Sequence, residues 1–222
     1  MSVNIEKINQ IRQELLPYKA TLVAVSKTKP VTDIQEAYNQ HQIIFGENYV
    51  QELAEKQKQL PADIQWHFIG HLQSNKAKQI APFVSLIHAV DGFGLLKEIN
   101  KQAEKNQRMI NCLLQVFIAD EETKFGLSYK ECEELLADEK LKLLKNIHIC
   151  GLMGMATNTE NENKIRQEFK QLHSFYSTHK ESFVCENNPA PILSMGMTSD
   201  YKIALDEGSN MIRIGSALFG SR

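Results

Sequence analysis

The 222-residue sequence is 42% hydrophobic and 23% charged, enough chain to bury a full core without a metal or disulfide staple. Its 25 Lys+Arg against 27 Asp+Glu leave a net charge of −2, without the basic footprint of a general nucleic-acid binder, and the composition excludes collagen-like, disordered and coiled-coil chains. No stretch approaches the roughly 18 apolar residues of a membrane span, and the first residues, MSVNIEKINQIRQELL, show no basic region followed by an apolar run. Cys112, Cys132, Cys150 and Cys185 are widely spaced and form no C-x-x-C pair, so free thiols, no bound metal and a cytoplasmic protein are expected.

In chain order, Ile8, Ile11 and Leu15 share one face of a leading amphipathic helix. A first strand follows at Leu22–Lys27, and Thr32-Asp33-Ile34-Gln35 reads as a capping box that starts the next helix. Strands are expected at Ile43–Glu47, Trp66–Gly70 and Leu86–Asp91, with Asp91 capping the helix that carries Leu95, Leu96 and Ile99. Cys112–Ile118 is the fifth strand, and Ser128-Tyr129-Lys130-Glu131 is a second capping box. The sixth strand, Ile147–Met155, precedes a third capping box at Thr159-Glu160-Asn161-Glu162. Beyond it Ile165, Phe169, Leu172 and Tyr176 fall at helical spacing. Ile192–Met197 and Met211–Ser216 complete the strands, and Gly208 sits where a helix-terminating glycine belongs.

Eight alternating units predict an α/β fold, a single (β/α)8 TIM-like barrel with a leading helix, residues 1–222 forming one domain. The rival, an open doubly wound sheet, lacks the G-x-G-x-x-G fingerprint and the phosphate-loop motif.

Strand phase then picks out polar residues aimed inward. Lys27 shares a face with Val23 and Val25, at the strand end that forms a barrel's mouth. Arg213 is out of phase with Ile212 and Ile214, and an inward arginine must meet an anion or acceptors. Gln115 and His88 interrupt their strands and read as hydrogen-bonded core residues. The small, hydroxyl-rich Leu193–Asp200 segment and Gly215-Ser216-Ala217 follow strands seven and eight, the place where barrels often hold phosphate. Strands one and eight adjoin in a closed barrel, so a lysine amine lies near a cation and a phosphate cup. That combination suits a phosphate-bearing aldehyde: pyridoxal 5′-phosphate (PLP), or the substrate of a Schiff-base aldolase. His67-x-x-x-His71 straddles a strand end without an acidic third ligand and is set aside as a metal pair; Ser199-Asp200-Tyr201-Lys202 is set aside as a helix start.

Five segments, in order, carry a further resemblance. They are Leu22-Val-Ala-Val-Ser-Lys27-Thr-Lys-Pro30, Phe45-Gly-Glu-Asn48-Tyr-Val-Gln-Glu52, Trp66 to Lys76, Leu193-Ser-Met-Gly-Met-Thr-Ser-Asp200 and Ile212 to Gly220. Together they resemble the PLP homeostasis protein family, whose fold is similar to the N-terminal domain of alanine racemase. The resemblance implies that Lys27 is the Schiff-base lysine, with Lys29 the lesser candidate, and that Asn48 lies near the cofactor. It implies phosphate contacts from Ser194, Gly196, Gly215 and Ser216, and an Arg213 that faces the pyridine nitrogen. This sequence departs from the family pattern at Phe117, Gly154, Thr157 and Ser216.

The implied function is PLP binding in vitamin B6 homeostasis, without strong catalysis and with no catalytic residue assigned; the alternative is a PLP-dependent amino-acid racemase. An arginine cannot release its proton at ordinary pH, so it weakens the cofactor as an electron sink. The last strand falls close to Arg222, so no second, racemase-type domain is expected. PLP-dependent apo-enzymes are the expected recipients, and a monomer is expected because a closed barrel leaves no sheet edge.

Overall fold

Runs of aliphatic and β-branched residues favour strands where both faces are buried, and eight such runs pair side by side here, all parallel. The computed structural model describes residues 3–120, 125–185 and 190–220. The strands are β1 (Thr21–Val25), β2 (Ile44–Glu47), β3 (Gln65–Phe68), β4 (Leu86–Val90), β5 (Ile110–Gln115), β6 (Ile147–Met153), β7 (Ile192–Ser194) and β8 (Met211–Ile214). They close in the order β1 to β8, with β8 pairing back on β1 from Thr21 opposite Met211 to Ala24 opposite Ile214. The predicted barrel is the fold.

Helices α1 (Ile5–Leu15), α2 (Val31–Asn39), α3 (Val50–Gln57), α4 (Ala77–Ile80), α5 (Phe93–Lys105), α6 (Tyr129–Ala137), α7 (Glu162–Thr178), α8 (Tyr201–Asp206) and α9 (Ser216–Phe219) surround the strands. The period-two alternation of each strand sorts its residues into two cores. Leu22, Ala24, Ile212 and Ile214 face outward and pack with helix residues such as Ile8, Ile34, Leu53 and Phe169. Val23, Leu86, Leu113, Cys150, Met153, Ile192 and Met211 form a second, inner cluster. The four cysteines are unpaired, and burial holds the thiols of Cys112 and Cys132 above their usual range. No described helix is long and apolar enough to cross a membrane.

Several expected boundaries shift, each for a local reason. Lys27, Ile69, Ile118, Met155 and Met197 lie past the ends of their strands. These continuations, apolar apart from Lys27, line the open end of the barrel instead of extending the ladder. Ser128 makes the expected capping box with Glu131. Thr32 does not cap: the α2 N-cap is Pro30, whose φ of −67° already suits a helix entry. Asn161, not Thr159, caps α7 by accepting the Lys164 N–H, and Thr159 instead accepts the Asn161 N–H. Gly92, not Asp91, is the α5 N-cap. Gly208 follows α8 at φ +95°, as expected.

The β5–β6 pairing contains a bulge. Cys112 opposes Ile149 and Leu113 opposes Gly151, which leaves Cys150 as the extra residue. Gly151 follows at φ +146°, and a Cβ there would collide with the Ile192 carbonyl of β7. Gly151→Ala is therefore expected to destabilise the fold by about 2–4 kcal/mol. Urea denaturation measures this, and an unchanged midpoint would mean that β6 and β7 separate without cost.

Candidate functional site

The C-terminal ends of the strands form the mouth of a parallel barrel, where side chains from different strands converge. A cleft of about 270 Å³ opens there, with Lys27 and Thr28 beyond β1, Asn48 after β2, Arg213 on β8, and Gly215 and Ser216 just beyond β8 among its walls. Its apolar wall comes from Val25, Ile69, Met155 and Met197. Lys29 is also in the lining and donates from its ammonium to the Gly220 carbonyl at 3.0 Å.

The β1 end is fixed from below. Ser26 Oγ donates to Glu47 Oε1 at 2.6 Å, and the Thr28 N–H donates to Glu52 Oε1 at 2.6 Å. The buried Lys56 ammonium bonds both carboxylates and the Ser26 carbonyl. Burial raises the Glu47 carboxyl above its usual range; Lys56 and the Ser26 hydroxyl oppose that shift. Thr28 holds a left-handed φ of 63°, a conformation that costs a β-branched residue about 1–3 kcal/mol and persists only when its surroundings fix it.

Arg213 points inward, as its phase predicts. It is 4% exposed, and its guanidinium donates to the Ser194 carbonyl at 2.9 Å, the Ser194 hydroxyl at 2.6 Å and the Gly154 carbonyl at 3.1 Å. A guanidinium has five N–H groups, so these bonds leave donors over on a residue that lines the cleft. Burial brings Arg213 down to about 10, with Asp200 opposing, so it keeps its charge at neutral pH.

Below it runs a buried polar chain. Ser194 Oγ lies 3.2 Å from His88 Nδ1, and His88 Nε2 lies 3.0 Å from His67 Nδ1. A guanidinium only donates, so the Ser194 hydroxyl accepts from Arg213 and passes its own proton toward His88 Nδ1. His88 then carries its proton on Nε2 and donates it to His67. Burial pushes His67 down to about 3 and His88 well below its usual value, with the neighbouring His67 and Arg213 adding to the second shift. Both rings are neutral.

Five of the seven expected site residues line the cleft: Lys27, Asn48, Arg213, Gly215 and Ser216. Ser194 and Gly196 do not. Ser194 is fully buried against Arg213 and His88. Gly196, at φ +94°, gives its carbonyl to the Arg213 N–H and abuts Tyr201 and Ala204 of α8. The cup at Gly215 consists of the first turn of α9, whose entry is Gly215, and the Ser216 hydroxyl, 3.4 Å from Thr198 Oγ1. Asn48 Oδ1 is buried without a partner beside the cleft, an acceptor that awaits a donor. A primary amine, cationic donors, paired hydroxyls and an unsatisfied amide oxygen fit a polar, anionic aldehyde.

Sequence reasoning placed Thr198 only within the hydroxyl-rich segment after strand seven, and it did not anticipate Ile69, Met155 or the Lys56 cluster. Three of the departures from the family pattern, Gly154, Thr157 and Phe117, have defined surroundings. At Gly154 a Cβ would lie 2.5 Å from Leu172 Cδ2. Thr157 binds Glu168 through both its N–H and its hydroxyl, and accepts the Asp120 N–H. Gln115 bonds the Phe125 carbonyl and, with Phe117, walls an adjoining pocket. His71 is exposed near Asp91 while His67 is buried, and no group of three metal-binding side chains occurs among the described residues.

Barrel and mouth together define a domain of the alanine racemase N-terminal type, and that family matches residues 4–222. The alanine racemase of Bartonella henselae shares the fold at a TM-score of 0.69 and 15% identity, over 99% of this chain and 60% of the racemase. A pyridoxal phosphate homeostasis protein of Pasteurella multocida is 39% identical over 221 residues, covering 96% of this chain and 91% of that protein. One from Schizosaccharomyces pombe is 38% identical, covering 96% and 89%. PipY of Synechococcus elongatus, solved with PLP bound, matches at a TM-score of 0.85 and 33% identity over 97% of this chain and 99% of PipY. The chain belongs to the pyridoxal phosphate homeostasis protein family.

The two buried histidines make the fold acid-sensitive. Below about pH 6.5 the unfolded chain takes up protons that the folded chain refuses until near pH 3 for His67, so stability falls as pH drops through that window. His67→Gln is expected to remove about one proton from this acid dependence. Urea midpoints for both proteins between pH 7.5 and 4.5 test this; parallel curves would mean that His67 is protonated in the fold.

Proposed function

We propose that this chain binds PLP in the mouth cleft, holds it covalently on Lys27 and serves its homeostasis. The observation that carries the reading is the convergence of the Lys27 amine, Arg213 and the Gly215–Ser216 cup in one cleft. PipY, solved with PLP bound, is 33% identical to this chain.

When bound, PLP supplies an aldehyde that couples to a primary amine and a ring that can draw electrons from a carbon attached through that amine. Each residue's part follows from its chemistry. Lys27 supplies the amine. Gly215 and Ser216, at the start of α9, and the Thr198 hydroxyl offer donors to the phosphate. Asn48 offers its unsatisfied oxygen to a cofactor donor. Ser194 and Gly196 act behind this layer, holding Arg213 in place.

On this reading Arg213 partners the pyridine nitrogen. It stays protonated well above neutral pH, so it disfavours a second proton on that nitrogen and attenuates the electron sink. Holding and delivering the cofactor is therefore the better reading than amino-acid racemisation. Residues 1–222 act as one domain, a monomer in the cytoplasm, with PLP-dependent apo-enzymes as recipients.

The test is a visible spectrum of the purified protein with added PLP, followed by borohydride reduction and peptide mapping. A bleachable band and a pyridoxyl mass on the Lys27 peptide are expected. Lys27→Ala is expected to lose the trapped mass and keep noncovalent PLP binding through the phosphate cup. Unchanged trapping in Lys27→Ala would remove Lys27 from its role. Amino-acid turnover that scales with protein and vanishes in Lys27→Ala would instead favour the racemase.

A further inference from the structure

None of Ser26, Glu47, Glu52 or Lys56 lines the cleft, yet together they form a buried ion cluster directly beneath the Lys27 turn. Lys56 sits four residues after Glu52 on α3, a spacing that usually gives an exposed, weak pair. Here Lys56 is only 5% exposed, and its ammonium uses all three donors: on the Ser26 carbonyl at 2.8 Å, Glu47 at 2.8 Å and Glu52 at 2.6 Å. A buried cation persists only when such partners replace its water.

Each carboxylate then reaches a residue adjacent to Lys27. Glu47 takes the Ser26 hydroxyl and Glu52 takes the Thr28 N–H. The cluster thus grips residue 26 at its carbonyl and hydroxyl, and residue 28 at its amide. Thr28 is held at φ 63°, and residue 27 is fixed at both ends with its side chain in the cleft lining. Glu47 Oε2 has no partner in its buried position, so the cluster is not saturated as a stabilising ion pair would be.

We propose that Lys56, acting with Glu47 and Glu52, is a positioning residue that aims the Lys27 amine at its aldehyde. The proposal rests on the reading of Lys27 as the covalent anchor. The linkage forms a carbon–nitrogen double bond between neutral Lys27 Nζ and the aldehyde carbon. The aldehyde oxygen leaves as one water, taking both amine protons. Its rate depends on how often the amine sits in line with that carbon, and small displacements of such groups cost large factors.

The test mixes apo-protein with PLP and follows the linkage by visible absorbance and by borohydride trapping at Lys27. Pyridoxine 5′-phosphate, an alcohol in place of the aldehyde, reads noncovalent binding by calorimetry, and thermal melting reads stability. Lys56→Met and Glu52→Ala are expected to form the linkage about 10–100-fold more slowly while binding the alcohol within about twofold of wild type. Glu52→Gln keeps an acceptor for the Thr28 N–H and is expected to recover most of the rate. If Lys56→Met does not fold, Glu52→Ala carries the test, because the Glu52 side chain is 22% exposed and its loss is tolerable. Wild-type rates in the variants would overturn the proposal, and so would parallel losses of rate, alcohol binding and stability. No trapped Lys27 in the wild-type protein would overturn the anchor reading itself.

Discussion

Everything at the mouth depends on the seam where the last strand pairs with the first. Val23 lies opposite Arg213, and Ala24 opposite Ile214. That register places the turn after β1 beside the turn after β8, so Lys27 faces Arg213, Gly215 and Ser216 across one cleft. The two groups are separated by nearly the whole chain, and only closure of the barrel unites them. An open sheet made of the same strands would leave the lysine on one edge and the anion cup on the other. Gly215 belongs to this constraint: a Cβ there would lie 3.3 Å from the Val25 side chain and carbonyl oxygen, a tight contact that glycine avoids where the β8 turn meets β1.

The seam creates a second demand, because it brings a guanidinium inside an apolar barrel. Burial of an unpaired charge is costly. The structure meets the cost with a carbonyl from each of two strands' ends, a serine hydroxyl and two neutral histidines that relay the polarity inward. The direction of every bond in that chain follows from the one group that can only donate. Arg213 is accordingly held by residues that do not line the cleft, while Arg213 itself does.

Much of this was legible in the sequence. Period-two phase was enough to turn Lys27 and Arg213 inward, because each stands alone against aliphatic neighbours of fixed phase. Depth was harder to read. Ser194 ends a strand of only three residues, and its height in the barrel depends on how far β7 extends relative to β6 and β8. It lands one layer below the cleft, where it serves Arg213. Lys56 was illegible for a different reason: on α3 it has the spacing of a surface lysine paired with Glu52, and only the position of α3 over the ends of β1 and β2 buries it. The capping residues show the same limit. Ser128 caps as read, whereas Thr32 loses its place to Pro30 and Thr159 to Asn161, each a competitor within two residues.

The mouth is divided in a way that suits holding a cofactor reversibly. On the β1–β2 side an ion cluster sets the backbone around an amine. On the β7–β8 side hydroxyls and a helix start set an anion cup. Under the proposed function the two halves use different chemistry, a reversible covalent bond at Lys27 and a set of hydrogen bonds at the cup, and each lets go without the other. A ligand released at one half stays at high effective concentration for rebinding while the other half holds it. Exit then requires both to open within the same interval. On the same reading a competing amine favours exit by displacing Lys27 while the cup still holds the phosphate. A protein built to retain a reactive aldehyde against the solvent, yet yield it to another amine, needs this division more than it needs a strong electron sink. On the proposed reading Arg213, charged at neutral pH, trades the second for the first.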